Sequence, residues 1–167
     1  MSHAATSKVV INASYGGFHL SNACIQRMTE IFNAERSEAP VTAEEVDYAF
    51  TRGYYSSGDA DLYAVPIPDI EEYAEASTIV RIHPVLLQVI DELGDKACSG
   101  PCCHLRVLDV PTPLVKAVTI TEYDGAESIS YDLAPLLKKM IPNTPWDLKH
   151  TEATDLLARI RQLALQV

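Results

Sequence analysis

No window of the sequence approaches the ~20 consecutive apolar residues of a membrane-spanning helix, so the chain is expected to stay off the membrane. Residues Met1 to Ser7 are small and polar and carry no basic segment leading into an apolar run, which sets aside a secretory signal. Cysteine is scarce and badly placed for disulfides. Of Cys24, Cys98, Cys102 and Cys103, three fall within six positions, and two neighbours in sequence do not readily pair with each other. The expectation is therefore reduced thiols in a cytoplasmic setting. Basic residues are also few, 13 against 23 acidic ones. No basic stripe exists to neutralise a phosphate backbone, so DNA and RNA polymers are excluded as partners. Internal repeats and low-complexity tracts are missing, and so are the glycine patterns of dinucleotide-binding and P-loop sites. No cofactor is expected on these grounds.

What is present suits a folded domain. Hydrophobic residues make up 47% of 167 positions, enough to offset the ordering entropy of the chain. The net charge of −10 is concentrated: between Glu38 and Glu75 ten acidic residues face Arg52 alone, leaving the rest close to neutral. This suggests one domain over residues 1–167 carrying an acidic insert or lid at about 38–75, too short for a core of its own and expected to be dispensable.

Local signals order the elements. The β-branched run from Lys8 to Ala13 predicts a buried strand, broken by Tyr15-Gly16-Gly17-Phe18. Ser21 is a helix N-cap, with Leu20 and Ile25 spaced as a hydrophobic staple. Ile25, Met28 and Phe32 continue at helical spacing. Thr42 and Glu45 form a capping box for a helix to about Arg52, and Asp69 can cap a short helix through Ala76. His83-Pro84 opens a further helix that Gly94 weakens or ends. Strands are expected over Leu105–Val110 and Val115–Tyr123. Asp124-Gly125 predicts a type I′ hairpin returning through Ser128–Tyr131. A short helical stretch near Leu136–Met140 and a last helix from Thr151 complete the chain. Strands and helices mix without strict alternation, which points to an α+β class with a mainly antiparallel sheet packed by helices.

Five short motifs fall in order: Val9-Val-Ile-Asn12, Tyr15-Gly-Gly-Phe18 with Leu20-Ser21, Arg81-x-His-Pro84, Glu92-Leu-Gly94, and Glu122-Tyr-Asp-Gly125 with Glu127. Over residues 8–27 and 81–130 the chain resembles a family of small phage and bacterial proteins, largely uncharacterised, with the patterns VVIN-x-x-YGGF-x-LS and EYDG-x-E. The resemblance implies a shared architecture and a shared pocket, but no reaction. His19 replaces the small residue of that pattern, and the cysteine-rich turn at 98–103 is foreign to it.

Several groups could carry chemistry. The Gly16-Gly17 turn between strand and capped helix can cradle an anion with backbone N–H groups, or simply be a turn that needs positive φ. Arg81 can grip an anion through its planar fork or pair with the acidic insert; His83 can assist it or merely precede the proline. Cys98, Cys102, Cys103 and His104 lack the two separated pairs of a structural zinc site, so no metal is expected. A two-residue turn places Glu122 directly opposite Glu127, and Ile120 opposite Ile129, on one face. Two such carboxylates can share a proton, flank a cation or hold ligand hydroxyls, and longer turns would send both to solvent. Three functions follow. The first is binding of a small anionic or nucleotide-like ligand through Tyr15, Gly16, Gly17, Arg81, His83, Glu122 and Glu127. The second is an interaction module that forms a homo-oligomer. The third is a hydrolase using Glu122 and Glu127 as its catalytic pair.

Overall fold

The computed structural model describes residues 5–34, 36, 40–52 and 76–133, all within one compact unit, Met1–Pro135. The fold is α+β. Its elements are β1 (Thr6–Asn12), α1 (Asn22–Ala34), α2 (Ala43–Arg52), α3 (Ala76–Arg81), α4 (Pro84–Leu93), α5 (Asp95–Cys98), β2 (Leu105–Pro111), a 3-10 helix (Thr112–Ala117), β3 (Val118–Tyr123) and β4 (Ala126–Tyr131). Strand β1 pairs antiparallel with β2, running from Thr6 opposite Pro111 to Asn12 opposite Leu105. Strands β3 and β4 form a second antiparallel pair.

Strand β1 is buried from Val9 to Asn12 and serves two cores at once. Side chains alternate across a strand, so Val10 joins the helices while Val9 and Ile11 point to the opposite side. The larger cluster packs Val10 with Met28 and Phe32 of α1, Val46 and Phe50 of α2, and Leu86 and Val89 of α4. The smaller one joins Val9 and Ile11 to Val110 and Val118, with Ile120 and Ile129 of the hairpin against it.

The helix boundaries follow their caps. The Ser21 hydroxyl accepts the Cys24 N–H at 3.1 Å, and the staple residues Leu20 and Ile25 are both buried. Glu45 accepts the Thr42 N–H at 2.7 Å, and the Thr42 hydroxyl accepts the Glu45 N–H at 3.2 Å. The Thr42 N–H, and then the Thr42 hydroxyl donating at 2.8 Å, hold the Glu45 carboxyl below its ordinary range. Helix α4 begins at Pro84 and ends against Gly94, whose φ of 85° an L side chain rarely adopts.

One expectation needs correction. The strand expected from Val115 starts at Val118, because Thr112–Ala117 winds into a 3-10 helix behind Pro111. The first part of the segment 38–75 contributes side chains to the core. Val41, Val46, Ala49 and Phe50 are buried in the main cluster, because the apolar face of α2 outweighs the acidic residues on its other side. The rest of that segment from residue 53, the helix expected after Asp69, and the helices expected near Leu136–Met140 and from Thr151 lie outside the described residues. Among the described residues no helix is long and apolar enough to cross a membrane.

Candidate functional site

The hairpin forms in the register that its turn dictates. Asp124 and Gly125 have φ of 51° and 86°, as a type I′ turn requires, and Tyr123 pairs with Ala126. Ile120 then faces Ile129, and Glu122 faces Glu127. The opposite face carries hydroxyl pairs, Thr121 with Ser128 at 2.8 Å and Thr119 with Ser130 at 2.6 Å. Apolar residues therefore point to β1 and hydroxyls to the outside.

The tip of the hairpin sits directly on the glycine turn. Gly16 donates its N–H to Asp124 O at 3.3 Å. A Cβ at Gly125 would fall on the backbone nitrogens of Gly16 and Gly17, and a Cβ at Gly16 on the carbonyl of Cys102. Three turns, at 14–17, 101–104 and 124–125, thus meet backbone to backbone. Only glycine permits the approach at Gly16 and Gly125, which also hold positive φ.

Asn12 fastens these turns together. Its side chain is fully buried at the end of β1. The two hydrogens of its Nδ2 are shared among three carbonyls: Ser14 O at 2.7 Å, Gly17 O at 2.8 Å and Gly125 O at 2.7 Å. Its Oδ1 accepts from the Ser14 N–H, the Ser14 hydroxyl and the His104 N–H at 2.9 Å. One amide side chain thereby satisfies backbone groups of all three turns, groups that would be costly to bury unpaired.

The two glutamates have separate tasks. Glu127 Oε2 accepts the Asn12 backbone N–H at 2.7 Å, and Oε1 accepts from Arg81 Nη2 at 2.6 Å. Both side chains of this ion pair are at most 10% exposed. The Arg81 guanidinium also stacks on Phe18, with Cζ 3.2 Å from the ring centroid. Glu122 instead accepts the Gly125 N–H at 2.9 Å. The carboxylates are directly opposed in the ladder, yet each faces its own donor. That relieves the like-charge repulsion of a cross-strand pair.

His83 lies elsewhere. It caps α4, its Nδ1 accepting the Val85 N–H at 3.2 Å, and it packs edge-on against Phe32 and Phe50. Burial lowers its pKa from 6.5 to about 4, so the ring is neutral at physiological pH. Its role is to start a helix inside the core. Tyr15, by contrast, is 67% exposed at the glycine turn.

The cysteines divide in the same way. Cys98 is buried, Cys103 half-buried and Cys102 exposed, the last with φ of 57°. Burial pushes the Cys103 thiol up. Among the described residues no three His, Cys, Asp or Glu side chains gather as a metal site requires.

No family model, curated protein or solved structure matches this chain. The five motifs can still be placed. Four of them contribute to one junction: Asn12, Gly16 and Gly17, Arg81, and Gly125 with Glu127 are its members. Asn12 is the member that residue-type reasoning passed over. Its only signal was a polar residue closing a buried β-branched run.

Proposed function

We propose that the chain is an interaction module, and that its contact surface is the junction where the hairpin tip meets the glycine turn. One observation carries this reading: Tyr15 and Tyr123 are 67% and 81% exposed on two turns that are locked to each other. Tyrosine offers a large amphipathic contact at small entropic cost, most of all when its backbone is already fixed. Around Tyr123 the side chains of Glu122 and Asp124 are also exposed. An acidic, aromatic tip on a chain of net charge −10 is complementary to a basic partner surface that presents arginine. Arginine stacks on tyrosine and pairs with carboxylates through the same planar group. The same charge opposes self-association, which ranks a homo-oligomer second.

A small anionic ligand in the glycine turn has less support. The hairpin tip already approaches the nitrogens of Gly16 and Gly17, Gly16 already donates to Asp124, and Arg81 already pairs with Glu127.

The test is binding of a labelled arginine-rich peptide, against a lysine-rich peptide of equal length and charge. The reading expects the arginine peptide to bind about fivefold more tightly, from the stacking contribution. It also expects that preference to vanish in a Tyr15→Ser/Tyr123→Ser variant whose melting is unchanged. Equal binding of both peptides, or an unaffected variant, refutes it.

A further inference from the structure

The buried thiols lie apart from the junction and are absent from the proposed contact surface. Cys24 stands in the first turn of α1 and Cys98 ends α5, and both are fully buried in the main core cluster. The backbones that carry them are laced together. Ser21 donates its N–H to Cys98 O at 2.8 Å and its hydroxyl to Ala97 O at 2.6 Å, and Leu20 bridges to Ser99. Ser21 also caps the Cys24 N–H, so one residue fixes the positions of both cysteines. The two side chains belong to the same buried cluster and are close enough to influence each other's ionisation. Their remaining polar neighbours are few: Met28 Sδ lies 3.9 Å from Cys24 Sγ, and Val89 O lies 3.6 Å from Cys98 Sγ.

We propose that Cys24 and Cys98 form a reversible disulfide on exposure to a peroxide, clamping α5 to the start of α1. Two neighbouring buried thiols on backbones already tied together need little movement to reach bonding geometry, which is where most cysteine pairs fail. Cys98 is the attacking group. The interaction with Cys24 favours its thiolate, while burial and then Asp95 oppose this in part. Cys98 is followed in the chain by Ser99, which lines an open depression with Asp95, Lys96, Gly100, Cys103 and His104, the side from which an oxidant of peroxide size would approach. The Cys98 thiolate attacks one peroxide oxygen. The O–O bond breaks, sulfenic acid forms and hydroxide leaves. The Cys24 thiol then loses its proton and attacks the sulfenic sulfur, forming the S–S bond and releasing water. The two thiols are oxidised by two electrons and the peroxide is reduced to water. A dithiol reductant reverses the step.

Trypsin leaves Cys98, Cys102 and Cys103 on one peptide, residues 97–106, so the assignment uses a Cys102→Ser/Cys103→Ser variant of the full chain. It is treated with hydrogen peroxide under native conditions, alkylated in denaturant, and mapped by mass spectrometry. The expected result is a cross-link between the Cys24 and Cys98 peptides, a raised unfolding midpoint, and return of both on reduction. The midpoint should rise because a cross-link between such distant positions constrains the unfolded chain. Should that variant fail to fold, the same treatment of the natural sequence is read by fragmenting the 97–106 peptide. The proposal is overturned if Cys24 remains fully alkylatable after peroxide. It is equally overturned if Cys98 is driven to sulfinic acid without a cross-link, or if the cross-link forms no faster than the chain unfolds.

Discussion

Changing Asn12 to aspartate is the most demanding test of the junction, because it alters one atom and reverses its role. The Nδ2 group donates to Ser14 O, Gly17 O and Gly125 O, all within 2.8 Å. A carboxylate oxygen in its place would face three carbonyls without a proton to offer, beside the Glu127 carboxylate on the backbone N–H of the same residue. Asn12→Ala sets the scale for simple loss. The Gly125 carbonyl contact is fully buried, and leaving such an acceptor unpaired costs about 1–3 kcal/mol. The contacts to Ser14 O, Gly17 O and His104 N are part-buried; the first two share one hydrogen and together contribute about 1 kcal/mol, as does the His104 N–H. The alanine variant should therefore lose about 3–5 kcal/mol, a large part of the ~5–15 kcal/mol that holds a domain together. The aspartate variant should be at least as unstable at neutral pH. Its deficit relative to the natural sequence should shrink on acidification, because a proton on the buried carboxyl restores a donor and its folded pKa lies above its unfolded one. Urea unfolding followed by circular dichroism at neutral and mildly acidic pH measures both quantities. If either variant stays within about 0.5 kcal/mol of the natural sequence, as exposed substitutions do, Asn12 does not hold the turns together.

Other outcomes follow from the same geometry. Glu127→Gln should destabilise by about 3–5 kcal/mol, because it removes the charge from the buried carboxylate that faces Arg81 Nη2, whereas Glu122→Gln should cost under about 1 kcal/mol; equal effects in chemical denaturation would contradict the division of roles. His83 is neutral in the fold with a pKa of about 4 and takes up a proton near 6.5 when unfolded. Its contribution is thus complete above pH 6.5 and falls by about 3 kcal/mol as pH drops to 4, and that slope should be missing in His83→Asn, which keeps a capping oxygen. Gly125→Ala should detach the hairpin tip from the glycine turn, seen as loss of hydrogen-exchange protection at the Gly16 amide; retained protection would show that the close approach is not required. Phe50→Ala should cost about 3–5 kcal/mol in a melting measurement if α2 is core, and almost nothing if residues 38–75 are a removable insert throughout.

The hairpin was legible because its information is local. Asp124-Gly125 specifies the turn, the turn specifies the register, and the register places Glu122 opposite Glu127 and Ile120 opposite Ile129 without reference to the rest of the chain. The same holds for Ser21, the Thr42–Glu45 box and Pro84, each of which marks a helix start within a few residues. Composition did not reveal the inward face of α2. The charge on its outer face dominated the count from Glu38 to Glu75, while the few residues facing inward decided its place in the core. The partners of the candidate residues were beyond local reading. Glu127 and Arg81 are 46 residues apart, Asn12 and Gly125 are 113 apart, and no spacing rule connects them. Sequence by itself determined which backbone conformations each segment prefers, because those preferences come from neighbouring atoms. Only the tertiary structure decided which donor meets which acceptor: that a glycine turn receives a hairpin tip, and that two opposed glutamates meet different donors.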